Sequence, residues 1–304
     1  MSELSKISEE FLEIMIKNFG EGVNDWVQKL PDLISECEHK FGIKIEKPFD
    51  NLSYNYVAEG TKDDRSVVLK ISFLKEDLEK EVRVLNAFQG RSVVEVIEYD
   101  EVLGALLMEQ VVPGNALTSV GNDQEEVEIF CQVFEALHIP KLKVTNDYTS
   151  ISRWFEGIQR YRKNYGSNGV IKEAAIGRAE ELLEGLIQTT QASVLIHGDL
   201  HQGNILRDQK GEWKVIDPKG IVGDIHFETI QYLLNNIDRE GDPDSVLKRR
   251  VKQMSDRLHL DKYRIVKWGI VRGILEACWA IENGDSWKNG LDIFERFNRL
   301  LTTI

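Results

Sequence analysis

Strands and helices are segregated along this chain, and that segregation limits its fold more than any other feature. Between residues 53 and 112 the sequence reads as short strands around one helix. There is a strand-like run at 53–58, a turn through 60–64 and a β-branched strand at 66–72. A helical pattern over 76–88 follows, then strands at 93–99 and 104–112. Pro113-Gly114 then punctuate the chain. Beyond them, apolar residues recur at helical spacing over 125–137, 151–164, 171–187, 228–237, 244–257, 262–283 and 287–301. One strand-like unit, 194–220, interrupts these helices. A doubly wound parallel sheet needs alternating strand and helix units, and none are present. The pattern predicts an α+β chain of two parts. Residues 1–112 carry two leading helices and a small antiparallel sheet, and residues 113–304 are mainly helical. A length of 304 residues is also long for a single core.

The first leading helix is predicted over 8–19, with Ser8 as its cap and Gly20 as its stop. The second runs over 24–41, and Pro31 inside it predicts a break with a fresh start at Pro31-Asp32. A looser stretch is expected around Pro140. The formal net charge of −13 argues against nucleic acid as a partner, because phosphate backbones are bound by basic patches. It suits cationic small molecules, although solubility alone accounts for a charge of this sign. The three cysteines, Cys37, Cys131 and Cys278, are far apart with no C-x-x-C pair, so neither a disulfide framework nor a zinc site is indicated. Residues 1–6 lack the apolar core of a signal peptide. No apolar run approaches the ~18 residues of a membrane span. A cytoplasmic setting without membrane association is the expectation.

The interrupting unit carries the chemistry. Val194-Leu195-Ile196 lead into the polar loop His197-Gly198-Asp199-Leu200-His201-Gln202-Gly203-Asn204, and Ile205-Leu206 leave it. After a turn at 209–212 a second apolar strand ends on Asp217, so the stretch reads as one hairpin-like unit. Asp199 alone is an ordinary turn residue. Asn204 lies five residues on, however, and Asp217 thirteen beyond that. Magnesium takes hard oxygen ligands, typically a carboxylate and an amide oxygen beside phosphates, and a hydroxyl nucleophile needs a carboxylate to align it and take its proton. Asp217 and Asn204 fit the ligand roles, and Asp199 fits the base role. Far upstream, Lys70 sits inside the apolar strand 66–72, where a lysine must snorkel to water or find an anion. The following helix offers Glu79 and Glu81, and for either acid a surface helix pair is the plain alternative.

The loop from His197 to Asn204 resembles the H-x-D-x-x-x-x-N signature of aminoglycoside and related small-molecule kinases, which have a protein-kinase-like fold. Ile216-Asp217-Pro218-Lys219-Gly220 and Glu276-Ala277-Cys278-Trp279-Ala280-Ile281-Glu282 resemble the streptomycin 6-phosphotransferase and hydroxyurea-kinase branch of that antibiotic-resistance family. Val68-Leu69-Lys70, Glu81-Val82-Arg83 and Leu107-Met108-Glu109 are similar to it too. The resemblance implies a two-lobed protein-kinase-like fold with ATP and Mg2+ bound between the lobes. It implies that Lys70, oriented by Glu81, holds phosphates, and that Glu109 to Val111 contact adenine through the backbone, with Met108 either lining that pocket or belonging to the core. It further implies a small-molecule substrate, first a streptomycin-type aminoglycoside and next hydroxyurea or another metabolite. Two departures stand out. No G-x-G-x-x-G precedes Lys70, where Leu52-Ser53-Tyr54-Asn55-Tyr56 stand instead, and Pro-Lys rather than Phe-Gly follows Asp217. Protein kinase activity is therefore not implied.

Streptomycin carries guanidinium groups, so acids and an aromatic near the family-like stretches are the candidates for holding it: Asp224, Glu228, Glu276, Glu282 and Trp279. Each is equally well read as a solvated acid or a core aromatic. Two other classes compete. His197, Asp199 and His201 alternate, and on an extended strand they would share a face, as in a metal-dependent hydrolase. That reading leaves Lys70 and Asp217 unexplained. A nucleotide-binding pseudoenzyme is the other, opposed by the intact set Lys70, Asp199, Asn204 and Asp217.

Overall fold

The structure is a computed structural model, and it describes residues 7–50, 52–138, 147–239 and 241–304. The segment 1–6 and the looser stretch around Pro140 lie outside the described residues. The chain divides into two compact units. The first comprises Met1–Asn115 and Leu206–Ile216, the second Ala116–Ile205 and Asp217–Ile304.

In the first unit, α1 (Glu9–Phe19) is capped as expected, with Ser8 Oγ accepting the Phe11 amide at 3.1 Å. Helix α2 (Val23–Phe41) is continuous through Pro31, which corrects the predicted break. Leu30, Ile34, Cys37 and Phe41 form one buried stripe that packs on the sheet. Burial of that stripe on both sides of the proline outweighs the single backbone hydrogen bond that proline removes. Strands β1 (Lys44–Pro48), β2 (Asn55–Lys62), β3 (Arg65–Ser72), β4 (Val96–Asp100) and β5 (Ala105–Glu109) form an antiparallel sheet of order β1-β2-β3-β5-β4. The edge strand β1 has no sequence signal because only Ile45 of its five residues is buried.

The β2–β3 turn is Asp63-Asp64, both left-handed (φ 47° and 63°), as a two-residue hairpin requires. Gly60, expected in that turn, instead pairs with Val67 inside β2. A Cβ there would meet the Lys44 carbonyl oxygen at 2.5 Å, so the glycine admits β1. Helix α3 (Lys75–Ala87) follows β3 and buries Leu78, Glu81, Val82, Val84 and Leu85.

Six further short strands are described: β6 (Pro113–Ala116), β7 (Thr149–Ser150), β8 (Val194–Ile196), β9 (Ile205–Asp208), β10 (Trp213–Val215) and β11 (Ile221–Gly223). They form two three-stranded sheets, β10-β9-β6 and β7-β11-β8. The stretch read as one hairpin-like unit therefore serves two sheets. Only β9 and β10 pair around the turn, while β8 pairs antiparallel with β11. Residues 206–216 group with the first unit, rather than with everything after residue 112, because Val215 bridges to Val93 and exchanges backbone bonds with Ser92 and Val94.

The second unit holds α4 (Asp123–His138), α5 (Ile151–Trp154), α6 (Glu156–Tyr165), α7 (Glu173–Gln188), α8 (Ile230–Leu234), α9 (Pro243–Leu258), α10 (Lys262–Glu282) and α11 (Lys288–Leu301). The helix expected over 151–164 is interrupted at Phe155, whose ring is buried against Phe227 and Trp268. The one expected over 228–237 is shorter and enters through a 3-10 turn, Ile225–Thr229. Among the described residues no helix is long and apolar enough to cross a membrane.

Helix α10 carries Arg272, Glu276, Trp279 and Glu282, and it lies against α11 at glycine-sized separation. A Cβ on Gly273 would lie 2.6 Å from the Phe294 amide nitrogen and 2.9 Å from the Gly290 carbonyl oxygen, both backbone atoms that cannot swing aside. Gly273→Ala should therefore lower stability by about 1–3 kcal/mol. Urea unfolding checks this, and an unchanged midpoint would mean that the two helices are not in such close contact.

Candidate active site

In the first unit the buried lysine of β3 has found its anion. Lys70 Nζ donates to both carboxylate oxygens of Glu81, at 2.8 and 2.7 Å, and both residues are buried. Glu81 lies on the buried stripe of α3, whereas Glu79 faces outward and pairs with Arg83 at 2.6 Å. A buried ion pair is costly to desolvate, so its place in the middle of a strand marks a position where a fixed cation is wanted. At the end of β5, the Glu109 amide donates to the Glu95 carbonyl at 3.0 Å and its carboxylate pairs with Lys214. Met108 and Val111 are buried.

In the second unit the loop after β8 is built around His197. Gly198 is left-handed (φ 82°), and a Cβ there would meet the Ile221 side chain at 2.6 Å, so only glycine makes this corner. The Glu228 carboxylate accepts the amides of His197 (2.7 Å) and Gly198 (2.9 Å) and also contacts His138 Nε2 (3.1 Å). On the other side, the His197 carbonyl accepts the amides of Lys219 (2.8 Å) and Gly220 (3.1 Å). The His197 ring nitrogen Nδ1 accepts the Asp199 amide at 3.1 Å. Asn204 Nδ2 donates to the Asp199 carbonyl at 3.0 Å, tying the two ends of the loop together.

Asp199 and Asp217 are drawn together through one cation. Lys219 Nζ is 3.0 Å from Asp217 Oδ2 and 3.9 Å from Asp199 Oδ2. Asp217 itself sits in the left-handed region (φ 60°), which aspartate tolerates better than most residues. Burial pushes the Asp199 carboxyl up to about 6; Lys219 opposes that rise and the negative charge of Asp217 adds to it. A carboxylate with a raised pKa beside a loop amide is suited to general-base work near neutral pH. Asn204 and Asp217 supply an amide and a carboxylate, both with hard oxygen donors, and the local field already attracts a cation. This donor set fits Mg2+.

His201 Nε2 lies 4.0 Å from Asp199 Oδ1, but Gly198 turns the chain between His197 and Asp199, so the three do not share one face. His197 is wholly buried, and His201 Nδ1 accepts the Gly203 amide at 3.0 Å. Among the described residues no three His, Cys, Asp or Glu side chains form a metal-holding group. The hydrolase reading loses its geometric basis.

The acids proposed for a substrate separate into two groups. Asp224 and Glu228 are buried, and the structure corrects their assignment. Asp224 accepts hydrogen bonds from the His226 amide and ring, from Trp268 Nε1 at 2.7 Å and from Arg264. Burial would raise its pKa, but the His226 and Trp268 bonds outweigh it and hold the carboxyl at about 2. Glu228 is likewise held below the usual carboxylate range against burial, through His138 and the loop amides. Both acids are buried against the protein groups they hold, away from any ligand in solution. Glu276, Trp279 and Glu282 lie along α10. Arg272 pairs with Glu276 and lies over the Trp279 ring, 5.0 Å from its centroid. Trp154 meets the same ring edge-on at 5.6 Å. Glu282 takes a two-bond grip from Arg160, at 2.9 and 3.0 Å.

Sequence reasoning missed Lys219, Arg272 and Trp154. Arg272 had a signal like that of Lys70: a charge inside an apolar run, Ile270-Val271-Arg272-Gly273-Ile274. Its charge also draws the Asp199 pKa downward.

Known proteins share this arrangement of elements. A family model described as aminoglycoside/hydroxyurea antibiotic resistance kinase matches residues 46–284. The hydroxyurea phosphotransferase of Kitasatospora aureofaciens is 22% identical over 288 residues, 92% of this chain and 82% of that protein. The streptomycin 6-kinase of Streptomyces griseus is 24% identical over 277 residues, 87% of each. Among solved structures, a thermostable mutant of an aminoglycoside phosphotransferase, in a ternary complex with ADP and hygromycin B, superposes with a TM-score of 0.63 at 15% identity. It covers 88% of this chain and 97% of that one. At that identity the likeness shows the fold, which is protein-kinase-like.

Glu228 gives a test of the loop. Its pKa is lower in the folded chain than in the unfolded one, so its stabilising effect is complete above the unfolded value of about 4.3. That effect is lost as pH falls through the lower folded value. Glu228→Gln should lower stability by about 1–3 kcal/mol at neutral pH, because one loop amide then faces an NH2 donor. The gap from wild type should narrow in acid. Urea unfolding across pH measures it, and a gap independent of pH would rule out the ionised carboxylate as the support.

Proposed function

The chain belongs to the aminoglycoside/hydroxyurea antibiotic resistance kinase family and is a phosphotransferase, and from that premise we propose that it moves the γ-phosphoryl group of ATP to a hydroxyl of a streptomycin-type aminoglycoside. The observation that carries the reading is the pair of acids under one ammonium. Asp199, with a pKa pushed up to about 6, and Asp217, held at φ 60°, both lie within reach of Lys219.

Each unit has its part. In the first, Lys70, kept in place by Glu81, binds the phosphates of ATP, and the segment from Glu109 to Val111 binds the adenine through its backbone. In the second, Asn204 and Asp217 would hold magnesium. The ion, when bound, offsets the charge of the phosphates and polarises the γ-phosphoryl group. Asp199 orients the acceptor hydroxyl and takes its proton. His197, locked by Glu228, holds the Asp199 backbone so that the carboxylate keeps its aim. Most of the rate gain in such a site comes from positioning and fixed charge rather than from covalent chemistry.

Glu276, Trp279 and Glu282 form the acceptor side. Here a protein guanidinium, that of Arg272, already lies on an indole ring and pairs with a carboxylate. A ring and acid that hold one guanidinium have the chemistry to hold another, and this favours a guanidinium-bearing sugar. The overall charge of −13 also favours cations. Hydroxyurea is the second reading, supported by a relative that matches 92% of this chain. We place the activity in the cytoplasm, where ATP is plentiful.

A coupled assay of ADP release over streptomycin, other aminoglycosides, hydroxyurea and small polyols tests the assignment. Streptomycin should raise ADP release well above the acceptor-free rate. A response to hydroxyurea alone would move the assignment to that acceptor, and no response to any member would refute both.

A further inference from the structure

Lys219 has no role in the scheme so far, yet its ammonium lies beside both the base and the metal-binding acid, 3.9 Å from Asp199 Oδ2 and 3.0 Å from Asp217 Oδ2. The backbone builds this placement. The amides of Lys219 and Gly220 both donate to the carbonyl of His197, two residues before Asp199. Asp217 at φ 60° and the fixed ring of Pro218 turn the chain into that contact. The Lys219 side chain is 44% exposed. An ion pair that open to water adds little to stability, so holding the fold together does not explain why a cation stands there.

We propose that Lys219 is a catalytic cation that acts on the phosphoryl group in transit. It bridges Asp217 and Asp199. Where Asp217 takes up a metal ion, Lys219 would be left to Asp199. Its tether to His197 keeps the ammonium beside Asp199, where the acceptor oxygen and the γ-phosphorus meet.

In the transfer, the acceptor oxygen forms its bond to the γ-phosphorus. The bond from that phosphorus to the β–γ bridging oxygen breaks, and its electron pair leaves with ADP. The acceptor proton passes to the Asp199 carboxylate. Lys219 keeps all its protons and supplies charge alone, offsetting the negative charge spread over the equatorial oxygens. This role rests on the phosphotransferase reading but not on the identity of the acceptor, because water serves as an acceptor in slow ATP hydrolysis.

The test uses the full chain with Lys219→Met, Lys219→Arg and Lys219→Ala. Three quantities are read: the rate of γ-phosphate release at saturating Mg-ATP with water and with the best acceptor, the affinity for Mg-ADP by calorimetry over a magnesium series, and the melting temperature. Lys219→Met should lower both rates by about 100-fold or more. It should leave Mg-ADP affinity within about threefold of wild type, with less magnesium needed to reach it because a competing cation is gone. Lys219→Arg should recover part of the rate, and added methylamine should partly rescue Lys219→Ala. A folded Lys219→Met that hydrolyses ATP at the wild-type rate would overturn the proposal. So would a defect confined to Mg-ADP affinity, which would make Lys219 a structural bridge. A wild type that hydrolyses ATP but accepts no member of the panel would refute the substrate assignment and leave the hydrolysis comparison to decide on Lys219.

Discussion

One buried carboxylate holds the second unit's chemistry in place. Glu228 receives the amides of His197 and Gly198 and faces His138. An ionised carboxylate away from water is expensive unless its oxygens are satisfied. Here the satisfying groups include the backbone of the loop that presents Asp199. The cost of burying Glu228 is offset only when that loop has one conformation, so the fold and the orientation of Asp199 are the same requirement. Gly198 and the Lys219–His197 backbone bond act in the same direction.

The two units use the same device in different forms. Each places a charge inside apolar surroundings and satisfies it with fixed partners. Lys70 on β3 has Glu81, and Arg272 on α10 has Glu276 and the face of Trp279. A charge so held loses little freedom when a ligand arrives, which is the condition for electrostatic catalysis. Lys219 differs because it is half in water and shared between two acids.

Much of this was legible in the sequence, and the failures have physical causes. The order of helices, sheet and helices came through because hydrophobic period alone distinguishes those segments. The loop from His197 to Asn204 was legible because the residue types and spacing answer to one chemistry. Pro31 misled because local propensity counts one lost hydrogen bond and cannot weigh a buried stripe that runs past it. Gly60 misled because glycine serves turns and close strand approach equally well. The pairing of β8 with β11 was not legible because three apolar residues do not say which strand they will meet. Asp224 and Glu228 were taken for ligand-facing acids because a solvated acid and a satisfied buried one look alike in a sequence. Only the partners, Trp268, Arg264, His138 and the loop amides, distinguish them.

The central claim is that Asp199 serves phosphoryl transfer to a hydroxyl. Phosphorus NMR of ATP, magnesium and the best acceptor, with wild type and Asp199→Asn, tests it most directly. The account predicts a phosphate monoester on the acceptor with wild type. It predicts that the variant forms it about 10²–10⁴-fold more slowly while binding nucleotide equally well. Monoester formed by the variant at the wild-type rate, or inorganic phosphate in place of monoester with wild type, would contradict it.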